Sequence, residues 1–369
     1  MKTTLTLSIL SLFFSFSAFA TLRTVSNDPN NPAQYTGIQA AINAANAGDT
    51  IYVEATYVTI QNGNVINGGS NYGNITINKR ITLLGSGYNP SQDIAYISTV
   101  GSVTLDTSVA AVGVPASGAS YAVVSGLLIT GQVNLAGYTN NVILNNFTLE
   151  RCWVQGQILI GYSNNLTIQQ NVLSGAVYFG NNTNLILRNN ILNYEMLPTY
   201  YGPSPVNFTI TNNVFIGSVT AVNTAAYSAF TNYGPLLNAI ITNNIFYAVD
   251  PTGASGCTFN NNITFANANP TVPYGTNTGS GNLVNTNPVF TNYPIGSANY
   301  SPTYNFQLAT GSPGKNAGTD GTDIGLYGGI GFVPTGAPNV PYIEHFVINN
   351  SSISVGQNLN VSIEAKAQK

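Results

Sequence analysis

The stretch LTIQQNVLSGAVYFGNNTNLILRNNILNY, residues 166–194, contains one motif twice, and the fold follows from that repetition. LTIQQNVLSG superposes on LILRNNILNY with Asn171 over Asn190, and FTITNNVFIG, AIITNNIFYA and CTFNNNITFA extend the column through Asn213, Asn244 and Asn262. Upstream, FTLERCWVQG brings Cys152 into the column and AVVSGLLITG is read with Gly126 there, so the successive intervals are 26, 19, 19, 23, 31 and 18 residues. A unit of about twenty residues that tolerates insertions is a solenoid signature.

Inside each unit the positions three and five before the column are apolar: Phe147 and Leu149, Leu166 and Ile168, Leu185 and Leu187, Phe208 and Ile210. That alternation of period two describes an inward-facing strand. Two apolar residues follow the column, as in Val172-Leu173 and Ile191-Leu192, and a third strand reads Gly-x-apolar-x-apolar in GQVNLAG, GQILIG, GAVYFG and GSVTAV. Three strands per coil with Gly and Asn corners predict an all-β parallel β-helix of roughly ten coils. Asn171, Asn190, Asn213, Asn244 and Asn262 are expected at a corner, where Asn tolerates the left-handed backbone and its amide bonds to the coils above and below as a structural ladder.

A stack of repeats needs only one domain, despite the length of 369 residues. Charged residues make up only 6% and the formal charge is −3, whereas there are 52 Asn, so the surface is neutral and polar. This offers no electrostatic footprint for nucleic acid. Lys2, an apolar run to Phe19 and the small-x-small triplet Ala18-Phe19-Ala20 read as a signal peptide cleaved near Ala20, which predicts a secreted or cell-surface product. No later run is long and apolar enough to span a membrane. Cys152 and Cys257 stand five coils apart, roughly 24 Å at ~4.8 Å per coil, too far to bridge, and are expected as buried free thiols.

The amino end reads YTGIQAAINAANAGDTIYV and then NITINKRITLLGSG, and the carboxyl end reads GSPGKNAGTDGTDIGLYGG. Both resemble secreted bacterial right-handed parallel β-helix proteins of the pectate-lyase-like superfamily, over roughly residues 33 to 330. The resemblance implies a right-handed helix with an amino-terminal capping helix, Ile38 to Ala45, and a closing coil around residues 312–329, where Gly314 and Asn316 replace the usual Ala and Asp. The domain reading is a signal peptide (1–20), a β-helix (21–331), a Pro- and Gly-rich linker (332–341) and a short β-hairpin tail (342–369).

The superfamily includes lyases, hydrolases and adhesins, so activity must be sought in the side chains. The resembling lyases gather carboxylates for calcium beside an Arg or Lys base, whereas the outward positions of the third strand here are Asn134, Leu159, Tyr178 and Thr220. A hydrolase needs two carboxylates flanking the glycosidic bond, and the one histidine, His345, lies outside the solenoid. Were the protein an enzyme, a polysaccharide lyase or glycoside hydrolase, Glu150, Arg188 and Glu195 would be the catalytic set. Asp320 and Asp323, in GTDGTDIG, are a weak candidate calcium pair and otherwise serve tight-turn bonding; no other cofactor is expected.

Two neighbouring insertions carry Tyr194, Tyr200, Tyr201, Tyr227, Phe230 and Tyr233, rings with polar edges that suit stacking on sugars. The row Thr148, Thr167, Thr209 and Thr258 suggests an ice-binding face, but Ile186 and Ile240 interrupt it and β-propensity explains Thr there. The leading expectation is a monomeric, noncatalytic β-helix that binds extracellular or cell-surface glycan, or acts as an adhesin-like stalk. Polysaccharide cleavage is the alternative and ice binding a remote one.

Overall fold

The computed structural model describes residues 20–369 apart from 57–58, 62–63, 67–70, 90–96, 107–117, 136–142, 199–201, 203–204, 218–227, 231–233, 295–296, 298, 349–351, 353–355, 357 and 368–369. Three parallel sheets wrap one core. The first holds eleven strands and runs in chain order from Leu22–Val25 through Ser163–Gln169 and Asn182–Arg188 to Thr258–Asn260. The second holds eight strands, Thr99–Val100 to Ile263–Phe265, and the third holds six, Ile75–Ile77 to Met196–Pro198. From Thr82–Leu84 to Met196–Pro198 each coil contributes one strand to each sheet, so the chain is a three-strand-per-coil parallel β-helix.

The pairing register reproduces the sequence alternation. Leu149, Ile168, Leu187, Ile210, Ile241 and Phe259 stack in one inward row, and all are buried in the main core. Phe215 stacks on Phe246 with ring centroids 4.8 Å apart. Cys152 and Cys257 are free and buried, and burial pushes the Cys152 thiol up to about 12.

The asparagine column forms a continuous buried ladder. Asn190 donates its backbone N–H and its Nδ2 to Asn213 Oδ1 at 2.9 and 3.0 Å, and Nδ2 also reaches Ile168 O at 2.9 Å. The same pattern starts at Cys152, whose N–H donates to Asn171 Oδ1, and extends one coil past the expected column to Asn282. Two expectations are corrected. Val123 pairs with Thr148, which puts Leu127, not Gly126, level with Cys152. The left-handed residue is also not the ladder asparagine but the one before it: Arg151, Gln170, Asn189, Asn212, Asn243 and Asn261 have φ between 52° and 57°, and Gly126 joins them at 75°. Turning the backbone there aims the next side chain inward.

The amino end is capped by the helix Ile38–Ala44, which buries Ile38, Ala41 and Ile42. The strand after the helix, Thr50–Val53, pairs in parallel with Leu22–Val25, which precedes the helix.

The carboxyl end departs most from expectation. Residues 312–340 do not close the last coil; they run back along the outside of the solenoid, over the corner between the first and second sheets. Asn261 Nδ2 donates to Ala317 O, Asn243 exchanges bonds with Thr319, Asn189 Nδ2 reaches Leu326 O and Gly328 O, and Gln170 Nε2 reaches Gly331 O. The strap ends beside the early coils, where Asn89 N donates to Thr335 O. Beneath it lies a second apolar cluster joining Val172, Ile191, Val214, Ile245 and Ile263 of the second sheet to Ile324 and Leu326 of the strap. Within the stretch 332–341, Thr335, Ala337 and Asn339 bond to Asn89 and Arg151 of the early coils. Gly336 has φ +66°, and an added Cβ would sit 2.3 Å from the Tyr88 ring, so only glycine fits. Beyond the strap, Pro341–Ile348 pairs antiparallel with Val361–Ala367.

Candidate functional site

The strap forms one wall of a groove of about 460 Å³, and the outward row of the first sheet forms the other. Strand pairing puts Glu150, Gln169 and Arg188 on consecutive coils at one register position. Their side chains form a chain of hydrogen bonds: Gln169 Nε2 donates to Glu150 Oε2 at 2.6 Å, and Arg188 Nε donates to Gln169 Oε1 at 2.8 Å. Each group is half-buried and held by its neighbour, so the row presents a carboxylate, an amide and a guanidinium in fixed order.

Opposite the row stand Tyr327, Ile330, Phe332 and Val333 of the strap. The Tyr327 and Phe332 rings meet edge to face at 6.0 Å, and burial pushes the Tyr327 hydroxyl up to about 12, so it stays a protonated donor at neutral pH. The floor is set by Arg151, whose Nε donates to Gln170 Oε1 at 2.8 Å and whose Nη1 holds Ala337 O at 3.1 Å and Asn339 Oδ1 at 2.7 Å. Burial lowers the Arg151 value and the Glu150 charge opposes that shift. Its guanidinium fixes the strap, and with it the aromatic wall.

Sequence reasoning found the Glu150 and Arg188 rim of this groove and missed the strap wall. The signal for the strap was the doublet in RNN, TNN, TNN and NNN, in which the first residue turns the backbone and clamps the strap while the second enters the ladder. Glu195 is not among the residues lining the groove. It precedes the third sheet, where its carbonyl accepts the Val177 N–H, so the expected trio is divided between two faces of the solenoid.

The other candidates fall elsewhere. Phe230 is fully buried and packs against Phe215 and Phe246, which removes it from the ligand set, because a ring inside the core has no face to offer. Tyr194 is exposed at 48%; Tyr200, Tyr201, Tyr227 and Tyr233 lie outside the described residues, as does Thr220. Asp320 Oδ1 accepts the Thr322 N–H and hydroxyl, and Asp323 accepts the Asn316 N–H and Lys315 Nζ. Both carboxylates thus have turn partners. Among the described residues there is no grouping of three or more His, Cys, Asp or Glu. His345 lies on the terminal hairpin at the position opposite Glu364.

No family model matches the sequence, and no curated protein matches it. Among solved structures, pectate lyase Pel9A is similar over 84% of this chain and 97% of its own, at 13% identity and a TM-score of 0.41. Pectate lyase Bsp165PelA from Bacillus sp. N165, in complex with trigalacturonate, is similar over 79% and 90%, at 16% identity and a TM-score of 0.26. At such values the fold rests on the strand register above, which makes this chain a three-sheet parallel β-helix.

Proposed function

We propose that this protein is a secreted, noncatalytic β-helix that binds an extracellular or cell-surface glycan in the groove between the Glu150, Gln169 and Arg188 row and the strap. The observation that carries the reading is the pairing of a fixed hydrogen-bonded row with an aromatic wall. Sugars present hydroxyls to the first and C–H faces to the second, the usual division of labour in a ligand groove. Tyr194 is a second contact in this reading.

Catalysis is disfavoured by the lining itself. Glu150 is the one carboxylate among the described residues of the groove, whereas glycoside hydrolysis calls on a pair. Arg188 has its Nε–H committed to Gln169 Oε1, which takes that nitrogen out of proton abstraction.

The test is a glycan array followed by calorimetry. The protein is expected to bind one glycan class, with affinity falling about tenfold, or roughly 1.4 kcal/mol, in Gln169→Ala, which breaks the row that holds Glu150 and Arg188, and in Tyr327→Ala, which removes a ring contact. Release of unsaturated or reducing products, abolished in Arg188→Ala, would overturn the noncatalytic reading. Binding unchanged in both variants would move the site elsewhere.

A further inference from the structure

The amino end of the first strand is gripped by a buried carboxylate. Asp49, 1% exposed, lies in the turn between the capping helix and the strand Thr50–Val53. Its Oδ1 accepts the backbone N–H of Thr21 at 2.9 Å, while Oδ2 accepts Arg23 Nε at 2.8 Å and the Asn46 N–H at 2.9 Å. Burial works to raise the Asp49 carboxyl, yet the Asn46 and Thr21 N–H groups and Arg23 together hold it below the usual carboxylate value. Thr21 is clamped from its other side as well, since Thr50 N donates to Thr21 O at 3.0 Å. Ala20 and Thr21 themselves are exposed.

Among the described residues, the first backbone nitrogen held by a hydrogen bond is thus that of Thr21, which follows Ala18-Phe19-Ala20 in the sequence. We propose that the chain is processed between Ala20 and Thr21, and that the α-ammonium released on Thr21 becomes an ion-pair partner of Asp49 in the mature fold. This rests on the secretion part of the reading above, with its cleavage near Ala20, and adds what the new terminus does in the fold. The step is an amide hydrolysis by a signal peptidase. Water adds across the Ala20–Thr21 bond, Ala20 leaves with a carboxylate, and the Thr21 nitrogen departs as an amine that takes a proton at neutral pH. One neutral donor at 2.9 Å from Asp49 is replaced by a cationic group with three donors, which sets a full positive charge against the carboxylate.

The remaining ionisable groups around this terminus are Arg23, Tyr35, Lys79 and Arg80. Arg23 shares Asp49 from the other oxygen and gives Nη1 to the Tyr35 hydroxyl at 2.8 Å. Lys79 Nζ is held on Ala45 O at 3.0 Å, and Arg80 Nη2 lies 3.4 Å from where a Cβ on Gly48 would be. Arg23 occupies the other carboxylate oxygen, and Arg80 is exposed and screened by solvent, so the direct contact with Asp49 is the nearest charge the ammonium meets.

The full chain secreted from a host with signal peptidase should give an intact mass and amino-terminal sequence beginning at Thr21; a different start overturns the processing site. Thermal melts then compare the chain beginning at Thr21 with one carrying an added Gly-Ser, which restores a neutral amide at Thr21 and leaves Asp49 intact. The ion pair raises the amine's folded-state pKa, so its stabilisation is complete below the unfolded value of ~7.7–8.0 and is lost as pH rises through the folded value. The extended chain should melt about 2 °C or more below the processed one near about pH 6, and the gap should close at about pH 10. In an Asp49→Asn background the two chains should melt together. Equal melting of the two Asp49 chains at every pH overturns the ion pair. Neither readout depends on glycan binding.

Discussion

Asn190 shows why the ladder position takes asparagine rather than a residue of similar size. Its Oδ1 accepts the N–H and the Nδ2 of Asn171 from the coil before, and its Nδ2 donates to Ile168 O, Arg188 O and Asn213 Oδ1. Aspartate would bring a buried charge and no donor, and leucine would leave the turn's backbone groups unsatisfied. Asn190→Ala is expected to cost about 3 kcal/mol, from buried donors and acceptors worth ~1–3 kcal/mol each, read as a lowered urea midpoint at unchanged slope. Thr183→Ala, at the exposed position of the preceding strand Asn182–Arg188, is expected to change stability by less than ~0.5 kcal/mol. The column was legible because it repeats. Which member of each Asn-Asn doublet turns inward was not, since both tolerate the left-handed backbone and only the register decides.

At the level of elements, the strap of residues 312–340 depends on a row of clamps. Arg151 is the strongest, because its fork holds Ala337 O and Asn339 Oδ1 while it occupies a left-handed backbone position. Arg151→Asn keeps a residue that tolerates that backbone and removes the fork. The expected result is roughly tenfold faster amide exchange or proteolytic nicking across residues 333–340, the effect of losing about 1.4 kcal/mol of local stability, with protection in the solenoid strands unchanged. A glycan-binding defect accompanying that change would mark Arg151 as positioning the groove wall rather than only stabilising it. The strap was invisible to periodicity because its chemistry is distributed. GSPGKNAGTDGTDIGLYGG has turn residues at close intervals and no alternation, so a closing coil and a returning strap read alike. What separates them is the row of acceptors that Asn189, Asn212, Asn243 and Asn261 find in it.

For the whole molecule, stability comes from backbone ladders and a long apolar core rather than from charge. Among the described residues there are two ion pairs, Arg23 with Asp49 and Lys315 with Asp323. Raising sodium chloride from ~0.1 M to ~1 M shortens the Debye length from ~10 Å to ~3 Å, yet the melting midpoint is expected to move by less than about 3 °C. The solenoid was legible from 52 asparagines and one recurring interval, whereas the groove was half legible, because its rim is a register row and its other wall comes from residues some 150 positions away. The returning strap also has a mechanical consequence. Strand Leu22–Val25 begins the stack, and the strap delivers the terminal hairpin beside Gly87 and Arg151, not at the last coil. A body tethered by that hairpin would carry tension only through its early coils, while the coils beyond Asn190 project from the anchor as an unloaded arm.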